Sequence, residues 1–210
     1  MSVIHKRADD WRVRPNFTDY EGTRTAFAWR DAPDVCEGMA SGGCNIAFAA
    51  VDRHAHGPAA ARTALRFASA AGWDGGVQTR DVSYAELAVL AKRFTNVLRA
   101  LGVGKGDRVV IYMPMVPEAL EAMLACARLG AVHSVVFGGF AAHELAVRID
   151  DAKPRAILAA SCGIEPGRIV AYKPLVDGAI EQAAHKPEFT VFLQRDQAPC
   201  ELEDGYDLDW

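Results

Sequence analysis

The segment SCGIEPGR, residues 161–168, combines residue types that are suited to contact with a charged ligand. Arg168 offers a planar fork of hydrogen-bond donors that matches phosphate geometry and stays charged at any working pH. Pro166 stiffens the loop, and Gly167 allows close approach of the backbone. The same composition is typical of a solvent-facing turn in which Arg168 pairs with Glu165 or with nothing. The residues alone leave both interpretations open.

A glycine pair, Gly138-Gly139, ends the apolar run AVHSVVFGG and is the second candidate. Glycines at such a position allow a ligand to approach the backbone and the amide-rich start of the next helix. A tight turn between a strand and a helix needs the same two residues. A glycine pair is a weak motif, so the alternatives stay open.

The remaining candidates for chemistry are histidines and cysteines, and the sequence favours structural roles for all of them. His54 and His56 have metal-ligand spacing, but no carboxylate or cysteine cluster accompanies them. His133 lies in an apolar run and is predicted to pack there, and Cys126 is predicted to be a core residue. Cys162 is expected at the ligand-facing rim, but no histidine is near it in sequence to activate it. We find no catalytic triad, general-base pair or Walker-type phosphate loop in the sequence.

Composition excludes several classes of protein. The chain has 210 residues, a formal charge of −4 and 50% hydrophobic residues, with no basic run, so nothing indicates a nucleic-acid partner. It has no stretch of about 18 apolar residues, so we expect no membrane span. Its five cysteines form no CxxC pair, and its start carries no secretory or transit signal. The expected compartment is therefore the reducing cytoplasm.

From Ser83 onward the hydrophobic pattern alternates between helices and short strands. The predicted helices span 83–101, 117–130, 141–152 and 172–185, and the predicted strands 109–112, 131–139, 155–160 and 189–195. This alternation predicts an α/β fold, a parallel sheet with flanking helices, whose ligands gather at the carboxyl ends of the strands. Both Gly138-Gly139 and the 161–168 loop would lie at that edge.

Residues 1–80 are less regular, and we predict an aromatic-rich segment that wraps an α/β subdomain formed by residues 81–210. Within the segment, CNIAFAAVDRHA at 44–55 could form a short helix that starts near Cys44 or Asn45. Residues 56–76 could form a strand after a loop, ending in the turn Asp74-Gly75-Gly76.

The motifs YMPMVPE (112–118), LGAVHSVVFGGF (129–140) and the glycine–arginine loop resemble those of acyl-adenylate-forming enzymes. The similarity is greatest to the AMP-forming acetyl-CoA and propionyl-CoA synthetases, and it is close over residues 83–185. The resemblance implies that a short carboxylate reacts with ATP to give acyl-AMP and pyrophosphate, and that CoA then gives the thioester and AMP. It also implies CoA and ATP as substrates and Mg²⁺ as the ion that neutralises phosphate charge.

The same resemblance assigns a CoA-binding role to Glu165, Pro166, Gly167 and Arg168, with Arg168 holding a CoA phosphate. Gly138 and Gly139 would line the path of the pantetheine arm. Many members carry a basic residue where Glu165 stands, and an acid there would repel CoA phosphates at short range. The GIEPGR form is closer to the propionate-type branch.

The resemblance identifies the chain as the amino-terminal third of such a synthetase, a partial domain without the nucleotide loop, acyl pocket and catalytic lysine. We therefore expect the isolated chain to bind no cofactor tightly, to make no acyl-CoA and to self-associate through exposed apolar surface. The alternative is a standalone, non-catalytic CoA- or nucleotide-binding module. A flavodoxin-like regulator would need acidic residues at the strand ends, whereas the first of these strands ends in Met113-Pro114.

Overall fold

The computed structural model describes residues 11–13, 17–28, 44–71 and 76–210. In chain order the described elements are α1 (Tyr20–Ala26), a π-helical turn (Phe48–Asp52), α2 (Arg53–Ala55), β1 (Thr63–Ala71), β2 (Gly76–Ser83), α3 (Tyr84–Ala100), β3 (Arg108–Met113), α4 (Pro117–Leu129), β4 (Val132–Phe137), α5 (Ala142–Ala152), β5 (Ala156–Ala160), β6 (Cys162–Glu165), β7 (Arg168–Ala171), α6 (Lys173–Gln182), β8 (Phe189–Leu193) and β9 (Asp207–Asp209).

Five parallel strands form the central sheet in the order β4-β3-β5-β8-β9. The chain runs from β3 outward to β4, then returns to β5 on the other side of β3. Because such crossovers are right-handed, the two connecting helices lie on opposite faces of the sheet. Accordingly α3 packs with α4, and α5 packs with α6. The predicted parallel α/β fold is confirmed, and the reversal of strand order places a crevice at the carboxyl ends of β3, β4 and β5.

The core of this sheet follows from uninterrupted runs of apolar residues. Strand β5, AILAA, is buried at all five positions, and β3 is buried from Val109 to Met113. Such continuous burial is expected of parallel strands that are covered on both faces. Strand β4 differs because it lies at the sheet edge, where Val135 and Phe137 stay exposed.

The predicted helix boundaries agree with the local chemistry of the helix ends. The Glu86 N–H donates to Ser83 Oγ at 3.2 Å, so Ser83 caps α3 at the predicted start of the helix. The Glu86 carboxylate pairs with Arg80 at 3.1 Å instead of reaching back to complete a capping box. Gly130 ends α4 in the left-handed conformation with φ of 74°, where glycine has no side-chain clash.

Three pairings escape the sequence pattern, and the first is the antiparallel pairing of β1 with β2, because no strand was predicted over residues 76–83. The predicted loop at 161–168 forms instead an antiparallel hairpin, in which β6 and β7 pair from Cys162↔Ala171 to Glu165↔Arg168. Its two-residue turn is Pro166-Gly167, with φ of +85° at Gly167. The hairpin was missed because glycine and proline dominate the segment and each strand has only four residues. The short strand β9 was missed because its pairing with β8 is distant in sequence.

The segment before β1 packs on the α/β body. The predicted helix at 44–55 forms, and the Asn45 side chain accepts the Ala47 N–H at 3.0 Å and donates to the Ala127 carbonyl at 3.0 Å. Within the described residues, Val51 and Ala55 pack against the apolar face of α3. The predicted strand forms as β1, while Asp74 and Gly75 lie outside the described residues.

The boundary that we predict between residues 80 and 81 stays a prediction, and so does the wrapping of the core by residues 1–80. Of the aromatic residues of this segment that the structure describes, Phe48 and Phe67 are partly buried and the other four are exposed. The exposed four are Trp11, Phe17, Tyr20 and Phe27.

One charged group on α4 makes the stability of this fold depend on pH. Glu121 is 6% exposed, and burial, with Glu118 nearby, raises the pKa of its carboxyl group from 4.5 to about 7. Since the folded state then holds the proton more tightly than the unfolded state, stability falls as pH rises from about 4.5 to about 7. We expect Glu121→Gln to be more stable than wild type above pH 7 by about 2 kcal/mol. The difference should shrink toward zero near pH 4.

Urea unfolding of both proteins between pH 4 and pH 8 measures this difference. The exposed Glu144 on α5 offers the matched control, and Glu144→Gln should unfold like wild type at every pH. A wild-type minus Glu121→Gln difference that does not vary with pH would contradict the prediction.

Candidate ligand-binding crevice

The crevice is formed by three turns that follow adjacent strands. Gly138-Gly139 follows β4, Pro114 follows β3, and Ser161 follows β5. Tyr112, fully buried on β3, donates its hydroxyl to the Phe140 carbonyl at 2.7 Å and so fixes the turn after β4. The sheet therefore brings the two predicted glycine-containing segments to one edge, as the strand order requires.

Tyr172 fills the space between these turns. A Cβ atom on Gly138 would lie 2.5 Å from the Tyr172 hydroxyl oxygen, and one on Gly163 would lie 2.2 Å from it. Its ring also lies 4.9 Å from that of Tyr112, centroid to centroid. Glycine is thus required at positions 138 and 163, because the Tyr172 side chain leaves no room for a Cβ atom there. A Cβ on Gly139 would lie 2.6 Å from the Phe137 ring. The predicted passage of a pantetheine arm along Gly138 and Gly139 stays a prediction.

The predicted CoA loop is the tip of the β6–β7 hairpin. Glu165 and Arg168 face each other across the Pro166-Gly167 turn, and Glu165 Oε2 accepts from Arg168 Nη2 at 2.6 Å and from Nε at 2.8 Å. The Arg168 side chain is 70% exposed. The ion pair that the sequence left open as an alternative therefore forms, and a phosphate that binds Arg168 would compete with Glu165.

Most of the other sequence candidates lie away from this crevice. His54 accepts from Arg53 Nε at 3.1 Å and packs beside the Tyr84 ring, and among the described residues no group of three or more His, Cys, Asp and Glu side chains converges as metal ligands would. His133 was predicted to pack in its strand, and this is wrong: the residue is exposed because β4 is an edge strand. Its ring is nonetheless partly shielded from water, and this desolvation lowers the pKa of the imidazole.

Two of the cysteines that the structure describes are fully buried. Cys126 is fully buried, and burial raises the pKa of its thiol to about 12, so it stays protonated and serves as a core residue, as predicted. Cys162 is fully buried at the start of β6, and its carbonyl accepts a hydrogen bond from Arg195. Cys126, Cys162 and Cys200 are free, whereas Cys44 is disulfide-bonded.

A second polar cluster lies at the carboxyl end of β8, at the start of α6. Lys173 Nζ lies 2.5 Å from Asp177 Oδ1 and 3.0 Å from Asp207 Oδ2, and it stands 5.5 Å from the centre of the Phe192 ring. Burial lowers the pKa of Lys173, but the hydrogen bonds to both carboxylates outweigh burial, so the pKa lies above its ordinary value. Lys173 is thus a fixed positive charge. It lines, with the loop 198–203, an open cleft of about 550 Å³.

Three residues of this edge were missed by sequence reasoning, namely Tyr172, Lys173 and Arg195. Each takes its role from partners that are distant in sequence, and none belongs to a recognisable local motif. The Lys173-Pro174 dipeptide could have marked a helix start, because proline is favoured in the first turn of a helix.

This combination defines a class of protein before any comparison: a doubly wound α/β fold, in which ligands are expected at the reversal of strand order. Residues 51–206 match the family described as AMP-binding enzyme. The chain belongs to this family.

Individual relatives agree with the family match. An uncharacterized protein of Pseudomonas aeruginosa is 52% identical over 194 residues, covering 88% of this chain and 30% of its own length. Propionate--CoA ligase of Escherichia coli is 36% identical over 207 residues, covering 99% of this chain and 32% of the ligase. The bovine mitochondrial acyl-CoA synthetase short-chain family member 3 is 45% identical over 170 residues. The match covers 79% of this chain and 24% of the bovine protein.

A solved structure gives the same result. Acetoacetyl-CoA synthetase from Streptomyces lividans superposes with a TM-score of 0.57 at 27% sequence identity, covering 63% of this chain and 20% of that protein. The chain thus spans between about a quarter and a third of the length of the curated relatives described above. The resemblance that the sequence motifs indicated is confirmed at the level of family and fold.

Proposed function

We propose that this chain is the amino-terminal third of an AMP-forming short-chain acyl-CoA synthetase and forms part of its CoA site. The match of residues 51–206 to the AMP-binding enzyme family is the observation that carries the proposal. Two further findings support it: relatives named as propionate--CoA and short-chain acyl-CoA ligases align with most of the chain, and the crevice lies where such a fold binds ligands.

In the proposed reaction a short carboxylate and ATP give acyl-AMP and pyrophosphate, and CoA then takes the acyl group as a thioester. Mg²⁺ would neutralise phosphate charge in the first step. The residues of this chain bind and orient CoA. The pantetheine arm passes along the Gly138-Gly139 turn, and the backbone of Glu165, Pro166 and Gly167 contacts CoA while Arg168 holds a phosphate.

The structure suits a weak rather than a tight CoA site in this chain alone. Arg168 is highly exposed and already paired with Glu165, so a phosphate gains little from it until that pair breaks. Tight binding of CoA, and the binding of ATP and Mg²⁺, would depend on the remainder of a full-length ligase.

Assaying pyrophosphate release by the purified chain with ATP, Mg²⁺, CoA and acetate or propionate tests this proposal. We expect none, because the proposed catalytic groups lie outside this chain. The positive counterpart is a chimera in which this chain replaces the aligned segment of the Escherichia coli propionate--CoA ligase. A folded chimera that makes propionyl-CoA supports the proposal. A folded chimera that forms acyl-AMP but transfers nothing to CoA would count against a CoA-binding role.

Neutralising Glu165 is expected to strengthen CoA binding. Glu165→Gln frees the Arg168 guanidinium and removes a negative charge that repels phosphate, so the dissociation constant should fall about threefold at low salt. NMR titration of the chain with CoA measures this change. In the Glu165→Gln background, Arg168→Gln should abolish the gain. An unchanged or weaker affinity of Glu165→Gln would show that the hairpin tip does not meet CoA phosphates.

Exposed apolar residues on the β4 edge and the hairpin are expected to make the isolated chain self-associate. Phe137 is 72% exposed, and Ile164 and Ile169, which pair across the hairpin, are about half exposed. Light scattering at rising concentration should therefore show species larger than the monomer. The double substitution Phe137→Ser with Ile164→Thr should reduce them. A monodisperse wild-type monomer at high concentration would contradict this expectation.

Among the described residues no helix is long and apolar enough to cross a membrane. We propose the cytoplasm as the compartment and expect no nucleic-acid partner. If CoA binds while the chimera is inactive, the standalone binding module becomes the better interpretation.

A further inference from the structure

The Tyr172 hydroxyl lies at the same edge of the sheet and has no hydrogen-bond partner among the described residues. Tyr172 is 4% exposed, and its hydroxyl oxygen is wedged beside Gly138 and Gly163. The hydroxyl oxygen itself keeps some contact with solvent, although tyrosine hydroxyls in such surroundings usually find a hydrogen-bond partner. The neighbouring Tyr112 does so through the Phe140 carbonyl, but no described residue accepts from or donates to the Tyr172 hydroxyl. This group is therefore free to bond to a ligand.

Arg195 reaches the same place from the carboxyl end of β8. Its backbone N–H donates to Ser161 Oγ at 2.9 Å. Nη1 of its guanidinium donates to the Cys162 carbonyl at 2.9 Å. Among the described residues no carboxylate lies within 4.0 Å of this guanidinium. Arg195 is half-buried and anchored, whereas Arg168 is exposed and neutralised by Glu165. A guanidinium that is already fixed by a hydrogen bond, and that keeps unused N–H donors, loses little side-chain entropy when it binds an anion.

The Tyr172 hydroxyl and the Arg195 guanidinium lie near the same turn, because both residues are hydrogen-bonded to the segment that follows β5. The Tyr172 N–H donates to the Ser161 carbonyl at 2.9 Å, and Ser161 and Cys162 are the residues that hold Arg195. Gly163, beside the Tyr172 hydroxyl, directly follows Cys162. Burial and the charge of Glu165 raise the pKa of Tyr172, while the positive charge of Arg195 opposes them, which agrees with a guanidinium within electrostatic reach of the hydroxyl.

We propose that the Tyr172 hydroxyl and the Arg195 guanidinium together form an inner contact for a phosphate oxygen of the bound ligand. The hydroxyl donates one hydrogen bond, and the guanidinium contributes its remaining N–H donors and its charge. Arg168 then serves as an outer contact, reached when its pair with Glu165 breaks. The assignment of that phosphate to CoA rests on the proposed function, whereas the oxyanion contact itself rests on the hydrogen bonds that hold Tyr172 and Arg195 at the end of β5.

Titrating the ¹⁵N-labelled chain separately with inorganic pyrophosphate and with CoA tests the contact. The variants are Tyr172→Phe, which removes only the hydroxyl, and Arg195→Gln, with Arg195→Lys retaining the charge. The exposed Arg148 on α5 provides the matched control Arg148→Gln. Thermal unfolding and spectral dispersion check that each variant is folded. If Arg195→Gln does not fold, Tyr172→Phe and Arg195→Lys decide the outcome.

Wild type is expected to bind pyrophosphate weakly, with a dissociation constant of about 1 mM. Arg195→Gln should weaken binding at least fivefold and Tyr172→Phe about threefold, because each removes contacts to a charged oxygen, while Arg148→Gln should bind like wild type. The inference would be overturned if Tyr172→Phe and Arg195→Gln bound pyrophosphate as tightly as wild type does. It would also be overturned if wild type bound neither pyrophosphate nor CoA. CoA binding that neither substitution affects refutes this contact but leaves the CoA assignment intact. Loss of pyrophosphate binding in the variants, with no CoA binding by wild type, supports the contact and refutes the CoA assignment.

Discussion

Gly163→Ala should destabilise the chain by about 2–3 kcal/mol, because the added methyl group has no room. Its Cβ would lie 2.2 Å from the Tyr172 hydroxyl oxygen and 2.5 Å from the ring carbon that carries it. Tyr172 cannot swing away freely, since it is 4% exposed, packed against Tyr112 and backed by Gly138. The clash therefore has to move either the hairpin or the start of α6. Chemical denaturation followed by circular dichroism measures the loss.

A double-mutant cycle separates this clash from a general intolerance of β6. With Tyr172→Leu the ring is gone, so the cost of Gly163→Ala should fall by at least about 1 kcal/mol. Gly104→Ala is the matched control, because there the nearest atom lies 3.9 Å from the added Cβ and the backbone φ is not positive. Equal costs of Gly163→Ala with and without the Tyr172 ring would show that Tyr172 does not occupy the space between the turns.

Asp52→Asn should cost about 2–4 kcal/mol, because it leaves a half-buried guanidinium without its counter-charge. The Asp52 side chain is 8% exposed, Arg128 Nη2 bonds to its Oδ2, and Lys92 Nζ lies 3.5 Å from its Oδ1. Asp52 ends the π-helical turn, and Arg128 lies in the last turn of α4. The ion pair between them therefore links the π-helical turn to the α/β body. Asparagine keeps the volume but loses the charge.

An exposed ion pair in the same chain supplies the contrast. Arg66 and Asp81 pair at 2.6 Å across the β1–β2 hairpin, with both side chains well exposed to water. Asp81→Asn should leave the unfolding midpoint unchanged within error, since water screens such pairs. Similar losses for Asp52→Asn and Asp81→Asn would contradict the anchoring role that we assign to Asp52.

The α/β body could be predicted from sequence because its signals are local. Apolar spacing along α3, the cap at Ser83 and the buried runs of β3 and β5 all depend on residues that are near one another in the chain. The alternation of strands and helices then determines the parallel sheet and the edge at which its ligand crevice forms.

The details of the crevice could not be predicted, because they depend on contacts between distant segments. Gly138 and Gly163 look like ordinary turn residues until Tyr172 is placed between them. Arg195 looks like an ordinary surface arginine until its bond to the Cys162 carbonyl is seen. The exposure of His133 likewise follows from the edge position of β4, which the apolar run did not reveal.

We propose above that this chain contributes part of a CoA site at the carboxyl ends of β3, β4 and β5. Titrating the ¹⁵N-labelled wild-type chain with CoA, and mapping the amide shifts onto the structure, tests it most directly. We expect weak, saturable binding with the largest shifts at Gly138, Gly139, Gly163, Glu165, Gly167, Arg168 and Tyr172. An absence of saturable shifts, or shifts gathered at the opposite edge of the sheet around Gly104 and Gly130, would contradict it.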